Sequence, residues 1–311
     1  MNGHYISRVG VTSPRIAVKG KEFPAAAYSK RFLSILLIVC MLLAAFPTQA
    51  FAVESTDYTL TYTTNGDSTV TITGISVAEG FEEAELAVEI PETIDGMAVT
   101  KIAGYRSGAV GSIFSSYHVT SVSIPASVTE IGAGAFMSCQ YLTQVTFAEG
   151  SAPSFEDAYN SDDNGVFADC TALTSIELPA GTTKLGTYMF SGCESLTTVN
   201  LPELTQLTTI PFRAFNRCAL SSVTLPANVK TVEQDAFSAN YTYTGEDEYD
   251  SETWTYTIQN ITLNEGLIEI GSDAFSGATI TSLVLPDTLT IVGHSAFSGC
   301  KQLTDIIWPD N

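Results

Sequence analysis

The chain contains eight copies of one short pattern, and this repetition limits its possible folds more than any other feature. The shared template is L-T-S-V-x-L-P-x-x-V-x-x-I-G-x-x-A-F-S-G-C-x-x-L, and one copy, from Leu173, reads LTSIELPAGTTKLGTYMFSGCESL. The template phenylalanines are Phe114, Phe136, Phe167, Phe190, Phe215, Phe237, Phe275 and Phe297. Four of their seven intervals are 22 or 23 residues, one is 25, and two are 31 and 38. Such a period is typical of a solenoid with one coil per repeat, a shape that favours binding over catalysis.

The first part of each copy predicts a β-strand that ends at a proline. In the copy quoted above, Leu173, Ile176 and Leu178 are apolar, whereas Ser175 and Glu177 are polar. Alternation with a period of two predicts a strand whose apolar side chains point inward. The proline ends the strand because it has no N–H for another ladder bond. Because every coil winds in the same direction, we expect these strands to form one parallel sheet.

The second part of each copy is predicted to turn the chain and to fill the far side of the coil. A second apolar pair, such as Val128 and Ile131, makes the turn. In four copies a glycine follows, and we expect it to adopt positive φ in a tight bend. These glycines are Gly132, Gly186, Gly271 and Gly293. The A-F-S-G-C segment then places one phenylalanine per coil, so eight stacked rings are predicted to form a continuous column.

Segments outside the plain repeat divide the chain further. Residues 53–83 are predicted to be a β-hairpin that caps the first coil, since alternating Thr, Val and Tyr residues flank Asn65-Gly66, a strong turn signal. Residues 84–311 form the solenoid, with insertions at 150–165 and 241–257, the second of which reads as another hairpin with an acidic tip. The chain stops at Asn311 after the start of a further strand, so we expect a truncated chain or a gene fragment.

Residues 1–52 are predicted to be a leader that contains a secretory signal peptide. Lys30 and Arg31 precede the apolar run FLSILLIVCMLLAAF, and Ala50-Phe51-Ala52 supplies a cleavage site. The run is short for a membrane span, so we expect no stable span after cleavage. An uncleaved membrane anchor is the alternative, and lipidation at Cys40 is disfavoured because Val39 is too large for the preceding position.

The strongly negative net charge of the chain excludes polyanionic partners. Of the 13 basic and 34 acidic residues, six and one respectively lie in the leader, so the remainder carries 7 and 33, a net charge of −26. This field keeps the protein soluble and repels nucleic acid and anionic lipid.

Five of the six cysteines share one position in the repeat. Cys139, Cys170, Cys193, Cys218 and Cys300 each follow the template phenylalanine by three residues. We therefore expect a stacked column of buried, reduced thiols that behave as small apolar groups. Disulfides are the alternative for a secreted protein, but parallel side chains and an odd count disfavour them.

The repeats resemble the BspA-like (Treponema pallidum-type) leucine-rich repeats of bacterial surface proteins. The segments IPASVTEIGAGAFMSC, LPAGTTKLGTYMFSGC and LPDTLTIVGHSAFSGC carry this resemblance, which covers about residues 57–311. It implies an α/β-type or mainly β leucine-rich repeat solenoid of about eight coils with one parallel sheet. It also implies a secreted or cell-surface protein, often adhesive, with no shared catalytic residues and with variable ligands.

Residues for catalysis or metal binding do not converge in the sequence. His118 and His294 lie in the first and eighth coils, too far apart to share a site, and no zinc spacing or phosphate loop occurs. Residues 160–165, NSDDNG, resemble the start of a calcium loop, but the twelfth position is Thr171 rather than glutamate. We predict neither an enzyme nor a cofactor.

Two surfaces are candidates for ligand binding. The outward strand positions are mostly short and polar, and Asn200, Thr224 and Asn260 represent them. The alternative for this surface is a face that only keeps the sheet soluble. The second insertion gathers aromatic residues, namely Tyr241, Tyr243, Tyr249, Trp254 and Tyr256, and is the leading candidate for a binding tip. Its alternative is a hairpin whose rings pack on the coil.

The sequence therefore predicts a secreted or cell-surface, non-enzymatic scaffold for adhesion or for recognition of proteins or glycans. The expected partner is a host or bacterial surface protein or a polysaccharide. The alternative is a carbohydrate- or wall-targeting module of a larger surface enzyme.

Overall fold

The computed structural model describes residues 51–54, 57–80, 84–105, 112–158, 164–238, 240–242, 253–255 and 258–308. The strands in chain order are β1 (Phe51–Glu54), β2 (Tyr58–Thr64), β3 (Val70–Val77), β4 (Leu86–Glu89), β5 (Thr93–Ile94), β6 (Met97–Ile102), β7 (Val119–Ile124), β8 (Glu130–Ile131), β9 (Gln144–Phe147), β10 (Ser154–Phe155), β11 (Ser175–Ile176), β12 (Thr198–Val199), β13 (Thr209–Ile210), β14 (Ser222–Thr224), β15 (Thr231–Val232), β16 (Asn240–Thr242), β17 (Thr253–Thr255), β18 (Asn260–Thr262), β19 (Glu269–Ile270), β20 (Ser282–Val284), β21 (Ile291–Val292) and β22 (Asp305–Ile307). Within these ranges the only helix is a 3₁₀ turn, Leu201–Glu203, so the solenoid is mainly β.

Two rows of parallel strands run along the solenoid. The first row contains the strands predicted from the alternating pattern, namely β4, β7, β9, β11, β12, β14, β18, β20 and β22. The second row contains β6, β8, β10, β13, β15, β19 and β21. Its two-residue strands come from the apolar pair that the sequence assigned to a turn, and β10 comes from the predicted insertion 150–165. Residues that favour β-strands flank these apolar pairs, and each pair lies in register with the equivalent pair of the next coil. Each pair therefore forms a short parallel strand between coils and also turns the chain within its own coil.

The prediction of one parallel sheet is wrong for the first row, which is divided into four separate ladders. These ladders are β4-β7-β9, β11-β12, β14-β18 and β20-β22. Among the described residues no ladder joins β9 to β11, β12 to β14 or β18 to β20. One break coincides with a local irregularity: in the coil that begins with β12, Asn200 and the 3₁₀ turn Leu201–Glu203 directly follow Val199, where the strand ends.

The Asn200 side chain extends the β11-β12 ladder beyond Val199. Its Oδ1 accepts a hydrogen bond from the N–H of Leu178 at 2.9 Å, and its Nδ2 donates to the carbonyl of Leu178 at 2.9 Å. Asn200 itself has φ −73° and ψ 40°, outside the strand region. An outward polar residue of the sequence pattern is therefore engaged in holding two coils together.

The N-terminal hairpin is present and covers the first coil. β2 and β3 pair antiparallel, β1 adds to β2, and β3 pairs parallel with β6 of the second row. Leu60, Tyr62, Val70 and Ile72 are buried against the coil. The turn spans residues 65–69, and its positive φ falls on Ser68. The hairpin thereby protects apolar surface that a bare first coil would expose to water.

The predicted phenylalanine column is confirmed. All eight template rings stack in sequence with centroids 4.9–5.7 Å apart and interplanar angles of 17° or less. Seven of the rings are fully or almost fully buried, and Phe297 is partly buried. Each ring belongs to one continuous core that also contains the inward residues of both strand rows.

The glycines that precede the phenylalanines are needed for close packing and not for positive φ. A Cβ at Gly186 would lie 2.4 Å from the carbonyl oxygen of Glu156, and one at Gly293 would lie 2.4 Å from the backbone nitrogen of Ser272. Neither residue has positive φ, so the prediction of positive φ at these glycines is wrong. Positive φ falls instead two residues before or after the ring, as at Tyr188 and Asp169.

The five repeat cysteines are free in the structure, and four of them are buried. Cys300 is the exception to the predicted burial, since it lies in the partly buried coil of Phe297. The Cys170 thiol donates to the carbonyl of Phe136 in the preceding coil at 3.1 Å, and Cys193 makes the same contact with Phe167. Burial raises the pKa of the Cys139 thiol to about 12 and raises the pKa of the other four thiols as well.

Removing a ring from the middle of the phenylalanine column should destabilise the protein strongly. We expect Phe190→Ala and Phe215→Ala each to cost about 3–5 kcal/mol, because a large buried ring leaves a cavity between two stacked neighbours. Phe297→Ala should cost less because its ring is already partly exposed. Urea unfolding measures the difference, and equal losses at the three positions would contradict the column.

Thiol labelling should follow burial. Because the thiolate is the reactive form, we expect alkylation of the native protein to modify Cys300 first and to leave the four buried thiols unmodified. In denaturant without reductant, peptide mass mapping should find all five repeat cysteines alkylated. Labelling of only three or one would show that disulfides had formed.

Asn200→Ala should destabilise the protein by about 1–3 kcal/mol, because the buried N–H and C=O groups of Leu178 lose their partners. Thr224→Ala, at an exposed position of the same strand face, should change stability by less than about 0.5 kcal/mol. Urea unfolding of both variants provides the comparison. A neutral Asn200→Ala would show that the side-chain bridge does not hold the coils.

Candidate ligand-binding face

The outward side chains of the first row form one polar face, as the sequence predicts. We call this surface the first-row face. Its exposed positions include Ser123, Gln144, Thr146, Ser175, Glu177, Thr198, Ser222, Thr224, Asn260, Thr262, Ser282 and Asp305. None of the first-row strands contains lysine or arginine. Large apolar side chains are exposed on this face in its last two strands, where Val284 and Ile307 are 55% and 59% exposed.

A groove of about 550 Å³ crosses the first-row face between β9 and β11, where the ladder is broken. We call it the β9–β11 groove. Residues 143–151 and 175–181 line it, together with Asn200 and Glu203. Its volume lies within the roughly 300–1,000 Å³ of ligand sites in proteins. The groove is therefore large enough to hold a ligand.

The β9–β11 groove is acidic. Glu149, Glu177 and Glu203 line it, and all three are exposed. Its other polar groups are hydroxyls and amides, as at Thr146 and Gln144, and no lysine, arginine, histidine or cysteine is among its lining residues. Its aromatic residue, Phe147, is partly buried and packs edge-on against Phe155 at 6.3 Å.

One buried hydroxyl at the groove has no internal partner. Ser151 lines the groove and is 6% exposed, and its Oγ makes no hydrogen bond. A buried hydroxyl without a partner costs free energy relative to water, so such groups are uncommon in folded proteins.

A second, smaller cleft of about 180 Å³ lies between β12 and β14, at the break next to the 3₁₀ turn. Residues 197–199, 201–202, 220–224 and Phe215 line it. The intact pair β11-β12 separates it from the β9–β11 groove. Both clefts thus lie where the strand ladder opens.

The structure separates the three strand positions that the sequence singled out. Asn200 borders the β9–β11 groove but is engaged with Leu178. Thr224 borders the second cleft, and Asn260 lies opposite Ser222 in the β14-β18 ladder, outside both clefts. Their roles in binding stay predictions.

The second insertion does form a hairpin. β16 and β17 pair antiparallel, with Tyr241 opposite Trp254 in the register. Tyr243, Tyr249 and Tyr256 lie outside the described residues. The predicted aromatic tip therefore stays a prediction.

Features of catalytic and metal sites are not assembled in the described ranges. His118 packs on Tyr141 at 4.0 Å, and His294 contacts Ser295 at 2.9 Å, with the whole phenylalanine column between the two coils. In the ranges given above, no three His, Cys, Asp or Glu residues are grouped to hold a metal ion.

Most of the calcium-like loop, as well as the apolar run of the leader, lies outside those ranges. No helix that they contain has the length and apolar character to cross a membrane.

The residues of the β9–β11 groove that sequence reasoning missed are Glu149, Ser151 and Glu203. They follow the prolines or the ends of strands, at positions that the repeat template leaves variable. Their convergence depends on the break between β9 and β11, for which the repeat contains no signal.

Comparison with solved structures finds other bacterial leucine-rich repeat proteins. A leucine-rich repeat protein from Bacteroides ovatus is 21% identical over 80% of this chain and 70% of its own, with a TM-score of 0.46. A leucine rich cell surface protein from Faecalibacterium prausnitzii is 22% identical over 84% and 89%, with a TM-score of 0.42. The leucine rich repeat protein of T. pallidum is 20% identical over 79% and 88%, with a TM-score of 0.45. No curated protein matches the chain.

The family model for the BspA type leucine rich repeat region matches residues 111–244 and 252–311 with six copies. These segments contain all eight stacked phenylalanines and all five repeat cysteines. The chain therefore belongs to the BspA type leucine rich repeat family.

Proposed function

We propose that this protein is a secreted or cell-surface, non-enzymatic scaffold that recognises a surface protein or polysaccharide of a host or bacterial cell. The observation that carries the proposal is the β9–β11 groove, a concave polar site on a rigid array of coils. Residues held by a packed repeat stack keep their relative positions, so the site binds without rearrangement.

The lining of the groove supports binding in preference to catalysis. It offers carboxylates, hydroxyls and amides, which bind and orient a polar ligand. It contains neither a histidine base nor a cysteine nucleophile among its lining residues. Its carboxylates are exposed and so lack the burial that commonly tunes a catalytic acid.

Secretion is part of the proposal and rests on the leader. Its basic residues, apolar run and cleavage motif are the features of a signal peptide. An acidic mature chain suits an extracellular solution in which it stays soluble and attracts cationic surfaces.

The β16-β17 hairpin is a second contact region in this proposal. It interrupts an otherwise regular array between the coils of Phe237 and Phe275, whose rings still stack at 5.3 Å. The column does not need the insertion, and an insertion that projects from a solenoid is free to bind.

A single substitution in the groove tests the proposal. After a screen of matrix proteins and glycans on an array has identified a ligand, we expect Ser175→Tyr to lower its affinity at least tenfold, because the new ring fills the groove. Ser282→Tyr is the matched control, since Ser282 holds the same outward position on β20 and lines neither cleft. Surface plasmon resonance measures both.

Replacing Tyr241–Thr257 with a short Gly-Ser linker tests the hairpin in the same assay. We expect the melting temperature to change little and the affinity to fall. If the linker variant loses all binding while Ser175→Tyr binds normally, the aromatic tip is the site and the groove assignment is wrong. Unfolding of the linker variant would instead show that the hairpin is part of the core.

A further inference from the structure

The charge of the β9–β11 groove selects among ligands. Three carboxylates, on Glu149, Glu177 and Glu203, meet around one concavity without a lysine or arginine among the lining residues. The groove therefore carries uncompensated negative charge within a protein that is itself strongly acidic. Such a site attracts cations from a distance and disfavours neutral or anionic ligands.

The hydrogen-bonding groups of the groove are mainly acceptors. The carboxylate oxygens of its three glutamates only accept hydrogen bonds. A guanidinium group presents five N–H donors in a planar fork that matches carboxylates in pairs. The groove is thus complementary to an arginine side chain in both charge and donor pattern.

The walls of the groove are strand edges. β9 is paired only with β7, and β11 is paired only with β12, so each presents its other edge to the groove. Open edges pair with extended peptide chains through main-chain hydrogen bonds. A sugar polymer would gain more from an exposed aromatic face, whereas the aromatic residue of this lining, Phe147, is partly buried.

We propose that the β9–β11 groove binds an extended peptide segment that contains arginine, with the guanidinium held by Glu149, Glu177 and Glu203. This inference rests on the proposed function and specifies the ligand class of the same site. It makes the protein a receptor for a basic segment of another protein.

Binding of designed peptides to the full chain tests the inference. The probe is a fluorescein-labelled, C-terminally amidated pentapeptide Thr-Val-Arg-Val-Thr, and its partner replaces arginine by the neutral isostere citrulline. Fluorescence anisotropy should show at least tenfold tighter binding of the arginine peptide. The preference should shrink as NaCl is raised from 50 to 500 mM, because the recognition is ionic.

Substitutions in the protein separate a local site from general charge. Glu177→Gln and Glu203→Gln should each weaken binding of the arginine peptide about three- to tenfold. Glu265→Gln removes the same charge from an exposed position outside both clefts and should leave binding unchanged. Equal effects at the three positions would overturn the site, since they would show that net charge alone attracts the peptide.

The outcomes distinguish this inference from the proposed function. If a glucosamine oligomer binds and competes in a Glu177-dependent way while the arginine peptide does not bind, the ligand is an amino sugar and the peptide assignment is wrong. If neither probe binds but the array ligand still depends on Ser175, the scaffold function stands and the cationic ligand is wrong. If Ser175→Tyr has no effect on any ligand, the proposed site itself fails.

Discussion

Stacking of one phenylalanine ring per coil is the interaction on which the rest of the structure depends. The rings repeat at 4.9–5.7 Å from Phe114 to Phe297, close to the spacing of about 4.8 Å between paired strands. Backbone bonds follow the same line, because the N–H of Phe190 donates to Ala214 in the next coil and the Cys218 thiol donates to the carbonyl of Phe190. No coil buries its apolar side alone, so each coil depends on its neighbours. The phenylalanine column therefore determines the spacing between coils.

A continuous column on one side allows the opposite side to open. The first row is broken after β9 and after β12, yet Phe167 and Phe190 still stack at 5.5 Å across the first of these breaks. Each break leaves a cleft on the polar face, and the larger one has the acidic lining that supports the proposed recognition of a cationic ligand. The phenylalanine column thus stabilises one side of each coil, and the proposed binding face lies on the other. Residues on the binding face can therefore change with little loss of stability.

The candidate site was only partly predictable from the sequence. The prediction of outward polar residues in the first row was correct, because alternation in a strand determines which face a side chain occupies. The role of Asn200 was not, because its amide bonds replace a ladder rung that the pattern assumed to be present. The groove itself lies at the break between β9 and β11, where Glu149 and Ser151 come from one loop and Glu203 from the 3₁₀ turn. The repeat pattern describes the residues that the coils share, whereas this site is formed by residues that differ between coils.

By itself, the sequence determined the coil count, the strands of the first row within the repeats, the phenylalanine and cysteine columns and the family, because all of these follow from periodicity and local propensity. The tertiary structure decided that the second apolar pair forms its own strand row, that glycines such as Gly186 serve close contact between coils, and that the first row divides into four ladders. Each of these depends on the distance between residues in neighbouring coils. A repeat pattern records which residues recur, but the register and separation of coils result from the packing of all side chains together.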